Sequence, residues 1–232
     1  MQIVDGVWQV DGLRASHAFV LRGDHGVVLV DCGVPNSHPT ILDYLRQLGY
    51  EPRNVRAIVL THTHVDHIGS LPALRDATNA PIYVSPGEAP VVEGKAPIPS
   101  PAGLHRPLFA LFSQLMRPKP APVHGLLRSG DPLPHVHGWR VIATPGHSPD
   151  HLSLYHPHHQ LLLAGDALAN MGRLGGSPRI FTSNLQQAQR SLALLAGLPL
   201  RSAAFGHGDP IIDDHTLPEK VATLARQGRR RS

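Results

Sequence analysis

The stretch Ala57-Ile58-Val59-Leu60-Thr61-His62-Thr63-His64-Val65-Asp66-His67-Ile68-Gly69 decides how this 232-residue chain is read. Residues 57–60 form a short unbroken apolar run, the pattern of a strand buried on both faces. The run passes directly into four ligand-type or acid–base side chains within six positions. They therefore sit at the C-terminal end of a strand, where loops carry function. His62 and His64, two apart on a turning segment, can point the same way into one site. Asp66 and His67 lie on the turn into the next helix and can face a second position nearby.

Three later segments repeat the pattern. An apolar strand over 139–143 leads to Thr144-Pro145-Gly146-His147, one over 160–164 to Gly165-Asp166, and one over 203–205 to Gly206-His207-Gly208-Asp209. The five histidines and two carboxylates exceed what one tetrahedral zinc takes. They suit two ions held about 3.5–4 Å apart that share a carboxylate and a water. The set holds imidazole and carboxylate but no thiolate, which admits zinc, iron, manganese or cobalt.

The remaining chain alternates strand and helix signals. Strands are expected over 6–10, 17–21, 27–30, 81–84 and 152–155. A helix opens after Ser37 as its cap, with Ile41, Leu45 and Leu48 on one face and Gly49 as its stop. Another covers 71–77. Ser183 precedes a helix with Leu185, Ala188, Leu192 and Leu195 on one stripe. Thr216-Leu217-Pro218-Glu219 has the form of a capping box opening a last helix, with Val221 and Leu224 inward.

Residues 95–122 stand apart within what reads as a single domain, 1–232. Prolines occur at 97, 99, 101, 107, 118, 120 and 122, and between them Leu104, Leu108, Leu111, Phe112 and Leu115 recur at helical spacing. The segment is expected to be an insertion holding one amphipathic helix. Three placements are open for its apolar face: a lid presenting Phe109, Phe112 and Met116 to the substrate, cover for the domain's own core, or a homodimer contact.

Composition bounds the function. Hydrophobic residues make up 41% and charged residues 16%, which excludes wholesale disorder. No apolar run approaches the roughly 20 residues a membrane helix needs. No basic stretch followed by an apolar core opens the chain, so no signal peptide is expected. The net charge is +4, and Arg226, Arg229, Arg230 and Arg231 account for all of it. A neutral body argues against a nucleic-acid partner. The one cysteine, Cys32, cannot close an intrachain disulfide and reads as a small buried residue, in keeping with a reducing cytoplasm. His135, His137, His156, His158 and His159 read as surface and turn residues.

Residues 61–69 resemble the HxHxDH signature of the metallo-β-lactamase superfamily, and the segments ending in His147, Asp166 and His207 are similar to that family's remaining motifs in the same order. The resemblance runs from about residue 4 to about residue 210. It implies an α+β fold, a four-layer αββα sandwich with the metals at one edge of the two sheets. By motif, His62, His64 and His147 hold the first metal; Asp66, His67 and His207 hold the second; Asp166 bridges them. It further implies a binuclear metallohydrolase with two divalent ions, zinc foremost, acting on a small-molecule substrate. A metal-bridging hydroxide would attack an ester, lactone or thioester carbonyl, with Asp66 as the catalytic residue that orients or relays the proton. Asp31 matches a position that supports the metal loops.

Antibiotic-hydrolysing members generally lack an Asp at the position of Asp166, so its presence points to glyoxalase II-like and lactonase-like branches. Residues 147–151, His-Ser-Pro-Asp-His, are similar to the motif of those branches, and His151 either orients a ligand or only fills the core. Ala169 stands where acyl-homoserine lactonases often place a Tyr, and only about 25 residues follow His207, short of the usual glyoxalase II extension. The alternatives are a binuclear phosphodiesterase or nuclease, which calls for a basic groove, an iron-dependent redox enzyme, and a metal-binding protein without activity.

Overall fold

The computed structural model of the protein describes residues 1–101 and 106–229. Leu104 of the inserted segment and Arg230 and Arg231 of the basic tail lie outside the described residues.

The first sheet contains β1 (Gln2–Val4), β2 (Val7–Gln9), β3 (Phe19–Gly23), β4 (Gly26–Val30), β5 (Val55–Val59), β6 (Ile82–Val84) and β7 (Gly125–Leu126), side by side in chain order. The first four run antiparallel and the last four are parallel, with Leu29 beside Ile58 and Val30 beside Val59. The second sheet contains β8 (Arg140–Ala143), β9 (Leu152–His156) and β10 (Leu161–Leu163). After a small hairpin of β11 (Leu168–Asn170) and β12 (Leu174–Gly176), β13 (Ser202–Ala204) joins it parallel to β10. The helices are α1 (His38–Gln47), α2 (Val65–Ile68), α3 (Leu71–Thr78), α4 (Ala89–Val92), α5 (Arg106–Leu115), α6 (Leu185–Leu195) and α7 (Leu217–Arg229).

The alternation of strand side chains assigns the layers. Val28, Val30, Phe19 and Val59 point from the first sheet onto Val141, Leu154, Leu161 and Leu163 of the second. Their neighbours Val27, Leu29 and Ile58 point the other way, onto Ile41 and Leu45 of α1 and Leu71 and Leu74 of α3. On the far side of the second sheet, Leu162 and Ala203 meet Leu192 and Leu195 of α6 and Val221 of α7. The order is thus helix, sheet, sheet, helix. Each fully buried Leu, Ile or Phe contributes about 1.5–3 kcal/mol of transfer free energy to it.

Several local expectations are corrected. Ser37 does not cap α1 with its side chain, because its own backbone is already helical. Ser70 caps the helix across the fold: its Oγ accepts from the Ser37 and His38 N–H groups at 2.7 and 3.2 Å and donates to Val34 O. The cap of α6 is Asn184, whose Oδ1 accepts from Gln187 N–H at 3.0 Å. Ser183, which precedes it, donates to His147 O. At α7 the Thr216 hydroxyl donates to Asp214 Oδ1, while Val221 is buried and Leu224 partly buried.

The structure narrows the placements open for α5. Leu108, Leu111 and Leu115 are 71%, 59% and 76% exposed, so the leucine stripe does not cover the domain's core. The side turned inward carries Phe109 and the buried Ser113. The Arg117 guanidinium anchors the end of the helix by donating to Val91 O and Ala96 O, 2.7 Å each.

Candidate metal centre

β5, β8, β10 and β13 end on one side of the two sheets, and the loops that leave them carry the seven residues singled out in the sequence. They converge. The ligand-type atoms of His62, His64 and His147 lie within 4.8 Å of one another, as do those of His62, His67 and Asp166, and those of Asp66, His67 and His207. Asp166 stands between the outer two groups. Its Oδ2 is 3.2 Å from His147 Nε2 and 3.1 Å from His207 Nε2, and its Oδ1 is 3.3 Å from His67 Nε2. Gly206 makes this approach feasible, since a Cβ there would collide with Asp166 Oδ1 and His67.

The outer nitrogen of each histidine is tied to a hydrogen-bond acceptor, and this fixes which nitrogen faces inward. His67 Nδ1 donates to Asp31 Oδ2 at 2.9 Å, and His207 Nδ1 to Ala15 O at 2.7 Å. His64 Nε2 donates to Pro99 O at 3.2 Å. The Thr61 hydroxyl gives its proton to Asp31, so it accepts from His62 Nδ1 at 3.1 Å. Thr182 gives its proton to Pro178 O, so Ser177 donates to Thr182 and accepts from His147 Nδ1 at 3.0 Å. Five imidazole nitrogens thus face one small volume with two carboxylates.

Burial of polar atoms tests whether this volume fits cations. His62 Nε2, His67 Nε2 and Asp166 Oδ1 are buried without any hydrogen-bond partner. Buried polar atoms are normally satisfied. Three convergent orphans, all of ligand type, form a donor set that fits metal binding.

Electrostatics divides the cluster. Burial pushes the His62, His64 and His147 imidazoles below their usual range, so these rings are neutral. Burial works the same way on His67 and His207, yet the surrounding carboxylates overcome it. Asp166, Asp66 and Asp31 drive His67 well up, and hydrogen bonds to Asp166 and Asp66 take His207 to about 10. Against their own burial, Asp166 is held well below the usual carboxylate range by His67 and His147, and Asp66 is brought to about 2 by His67 and His207.

His151 is fully buried and acts on Asp166 rather than only filling space. The Asp166 N–H can only donate, so His151 Nε2 accepts from it, at 3.0 Å. His151 Nδ1–H then donates to Thr144 Oγ1 at 2.8 Å, Thr144 to Ser153 Oγ at 2.8 Å, and Ser153 to Ala164 O at 2.9 Å. Burial holds the ring neutral, with its pKa near 3. The chain of bonds begins and ends on the turn that carries Asp166.

Other supports are not apparent from the sequence. The Ser16 hydroxyl donates to Asp66 O, and Ala15, with φ +69°, offers its carbonyl to His207. Pro99 of the inserted segment reaches His64 through its carbonyl. These groups act through main-chain atoms, which residue type does not reveal. Asp31, noted for its position, is left-handed at φ +61° and binds Thr61 N–H, the Thr61 hydroxyl and His67 at once. Cys32 is buried with its thiol pushed up by burial and by Asp31, and is therefore inert.

A cavity of about 530 Å³ opens over the cluster. His64, Asp66, His147, Asp166 and His207 form its floor, and Phe109, Phe112, Met116, Met171 and Phe181 are among its walls. The Phe109 ring lies 5.5 Å from that of His64, centroid to centroid, and 6.0 Å from that of Phe181. Among the described residues no lysine or arginine lines the cavity. Among them, too, no helix is long and apolar enough to cross a membrane.

Comparison with known proteins agrees with this geometry. Residues 11–207 match the metallo-beta-lactamase superfamily. The probable metallo-hydrolase YflN of Bacillus subtilis (strain 168) is 34% identical over 204 residues, covering 81% of this chain and 77% of that protein. A hydroxyacylglutathione hydrolase of Chromohalobacter salexigens is 29% identical over 204 residues, covering 85% of this chain and 64% of its own length. Among solved structures, a metallo-beta-lactamase family protein from Thermus thermophilus aligns with a TM-score of 0.69 at 24% identity, covering 97% of this chain and 80% of that one. BJP-1, a subclass B3 metallo-beta-lactamase of Bradyrhizobium japonicum, gives 0.73 at 20% identity, with 100% and 90% covered. At those identities the structural likeness is one of fold.

Proposed function

The chain belongs to the metallo-beta-lactamase superfamily of metal-dependent hydrolases, and from that premise we propose that it holds two divalent ions, zinc foremost, and hydrolyses the acyl C–O or C–S bond of an uncharged ester, lactone or thioester. The observation that carries this reading is the set of five imidazole nitrogens turned inward around two carboxylates. His62, His64 and His147 hold the first ion, Asp66, His67 and His207 the second, and Asp166 is shared. When bound, such a pair supplies Lewis acidity and a water ionised near neutral pH.

The protein's own groups do the rest. Asp66 is 30% exposed at the cavity floor and its carboxylate is ionised. It accepts the proton of the incoming water as a hydrogen bond, orients it, and stands within reach of the leaving oxygen or sulfur. The aromatic and methionine walls exclude water and take the apolar part of the substrate. Among the described residues no lysine or arginine lies there to meet a carboxylate-rich thioester or a phosphodiester, which favours neutral carbonyl compounds.

A panel of lactones, aryl esters, thioesters and phosphodiesters, run on protein of known metal content, tests this. The best neutral carbonyl substrate should exceed the best phosphodiester in kcat/KM by at least about 100-fold, the value of roughly 2.7 kcal/mol. A phosphodiester at the top of the ranking would overturn the proposal.

The position of α5 supports a lid. Phe109→Ala and Met116→Ala should raise KM about tenfold or alter acyl-chain preference, since burying such a side chain is worth about 1.5–3 kcal/mol. Metal content should stay constant. Unchanged kinetics with a shift only in melting temperature or subunit association would make the segment structural.

A further inference from the structure

We propose that Glu88 is a positioning residue: it locks the loop carrying His62 and His64 to the loop carrying His147 and so sets the geometry of the first metal site. The proposal rests on the two-site assignment above and goes beyond it.

Glu88 precedes α4 and is fully buried, yet it belongs to none of the ligand-type clusters. Its Oε2 accepts from the hydroxyl of Thr63, the residue between His62 and His64. Its Oε1 accepts from the Ser148 hydroxyl at 2.5 Å and from Asp150 N–H at 3.4 Å, both just past His147. One carboxylate therefore bridges loops from β5 and β8, strands of different sheets. Beside it, Gly87 N–H donates to Asp150 Oδ2 at 2.6 Å, and a Cβ on Gly87 would lie 2.7 Å from Asp150 Cβ, so the two segments are pressed together.

The clamp has a physical task. His64 Nδ1 and His147 Nε2 lie 2.9 Å apart. Their other ring nitrogens are tied to Pro99 O and Ser177 Oγ, which fixes both rings. That close approach depends on how the two loops are held against each other. Among the described residues Glu88 has no cationic partner, and burial raises its pKa. A buried carboxylate of this kind adds little net stability over an apolar side chain of similar size. Its oxygens instead accept from donors on both loops, which an apolar side chain could not. The second site is supported elsewhere: His67 by Asp31, Asp66 by Ser16 and His207 by Ala15.

The test is chelator competition on the full-length, zinc-loaded protein, in two backgrounds. With His207→Ala, which leaves the first ion, adding Glu88→Ala should weaken zinc retention about 10–100-fold, the usual loss when a ligand's support is removed. With His64→Ala, which leaves the second ion, adding Glu88→Ala should change retention less than about threefold. Glu88→Gln, which keeps one acceptor while the hydroxyls rotate to meet its amide, should restore most of the first-site affinity. If Glu88→Ala does not fold, Thr63→Val and Ser148→Ala each remove one bond of the clamp and should show the same selectivity. Equal weakening of both sites, or of neither, overturns the role of Glu88 while leaving the binuclear reading intact. Wild-type protein that retains only one ion overturns the binuclear reading and this assignment with it.

Discussion

Asp166→Ala should empty both metal positions together and lower kcat/KM by at least about 1000-fold. Asp166 touches His147 of the first group and His67 and His207 of the second, all at 3.1–3.3 Å. Its removal takes one ligand from each ion and also the charge that helps draw two cations into one buried volume. Loss of a Lewis acid costs several kcal/mol of transition-state stabilisation, and about 4 kcal/mol is three powers of ten. His207→Ala should behave differently: one ion per chain should remain, because His62, His64 and His147 are intact. Elemental analysis of wild type and both variants at saturating metal measures this. One firmly held ion in Asp166→Ala would show that the carboxylate serves a single site.

The two ions should also load with different pH dependence. In the metal-free protein His67 and His207 have raised pKa values, that of His207 near 10, so both carry protons at pH 7. A cation must displace them. Affinity at the second site should therefore climb with pH, by up to about 100-fold per unit while two protons are released. At the first site the imidazoles are depressed by burial and already neutral at pH 7, so affinity there should be flat above pH 6.5 and fall only in acid. The same shifts give the sign for the metal-free fold. The stability contributed by protonated His207 is full below pH 6.5 and is lost as pH rises through about 10. That contributed by ionised Asp66 is present above pH 3.8 and lost as pH falls through about 2. Calorimetry in buffers of different ionisation heat counts the protons released on metal uptake. Equal release at both sites would refute the division.

The seven clustered residues were legible because each follows an apolar strand at once, and strand ends are easily located from hydrophobic runs. The four layers were legible only through the family resemblance, since short apolar runs do not say which face meets which partner. Periodicity located the α5 helix but not its orientation: the leucines form a stripe, and the stripe faces out. Glu88, Ser70 and Ala15 were silent for a different reason. They act across 25, 33 and 192 positions of sequence, on groups that only the fold brings near. The hairpin of β11 and β12 escaped because its strands are only three residues long, the second of them Leu-Gly-Gly, and carry no alternation.

The bonds through His151, Thr144 and Ser153 bear on how this protein can change over generations. Each link runs in one direction between a fixed donor, Asp166 N–H, and a fixed acceptor, Ala164 O. Replacing a single member strands a neighbour's proton or lone pair in a buried site, so the first replacement carries most of the penalty and later ones add little. The three side chains therefore form one heritable unit. Lineages should keep the trio intact or exchange it wholesale, and a library that randomises one position at a time will find each of them immovable.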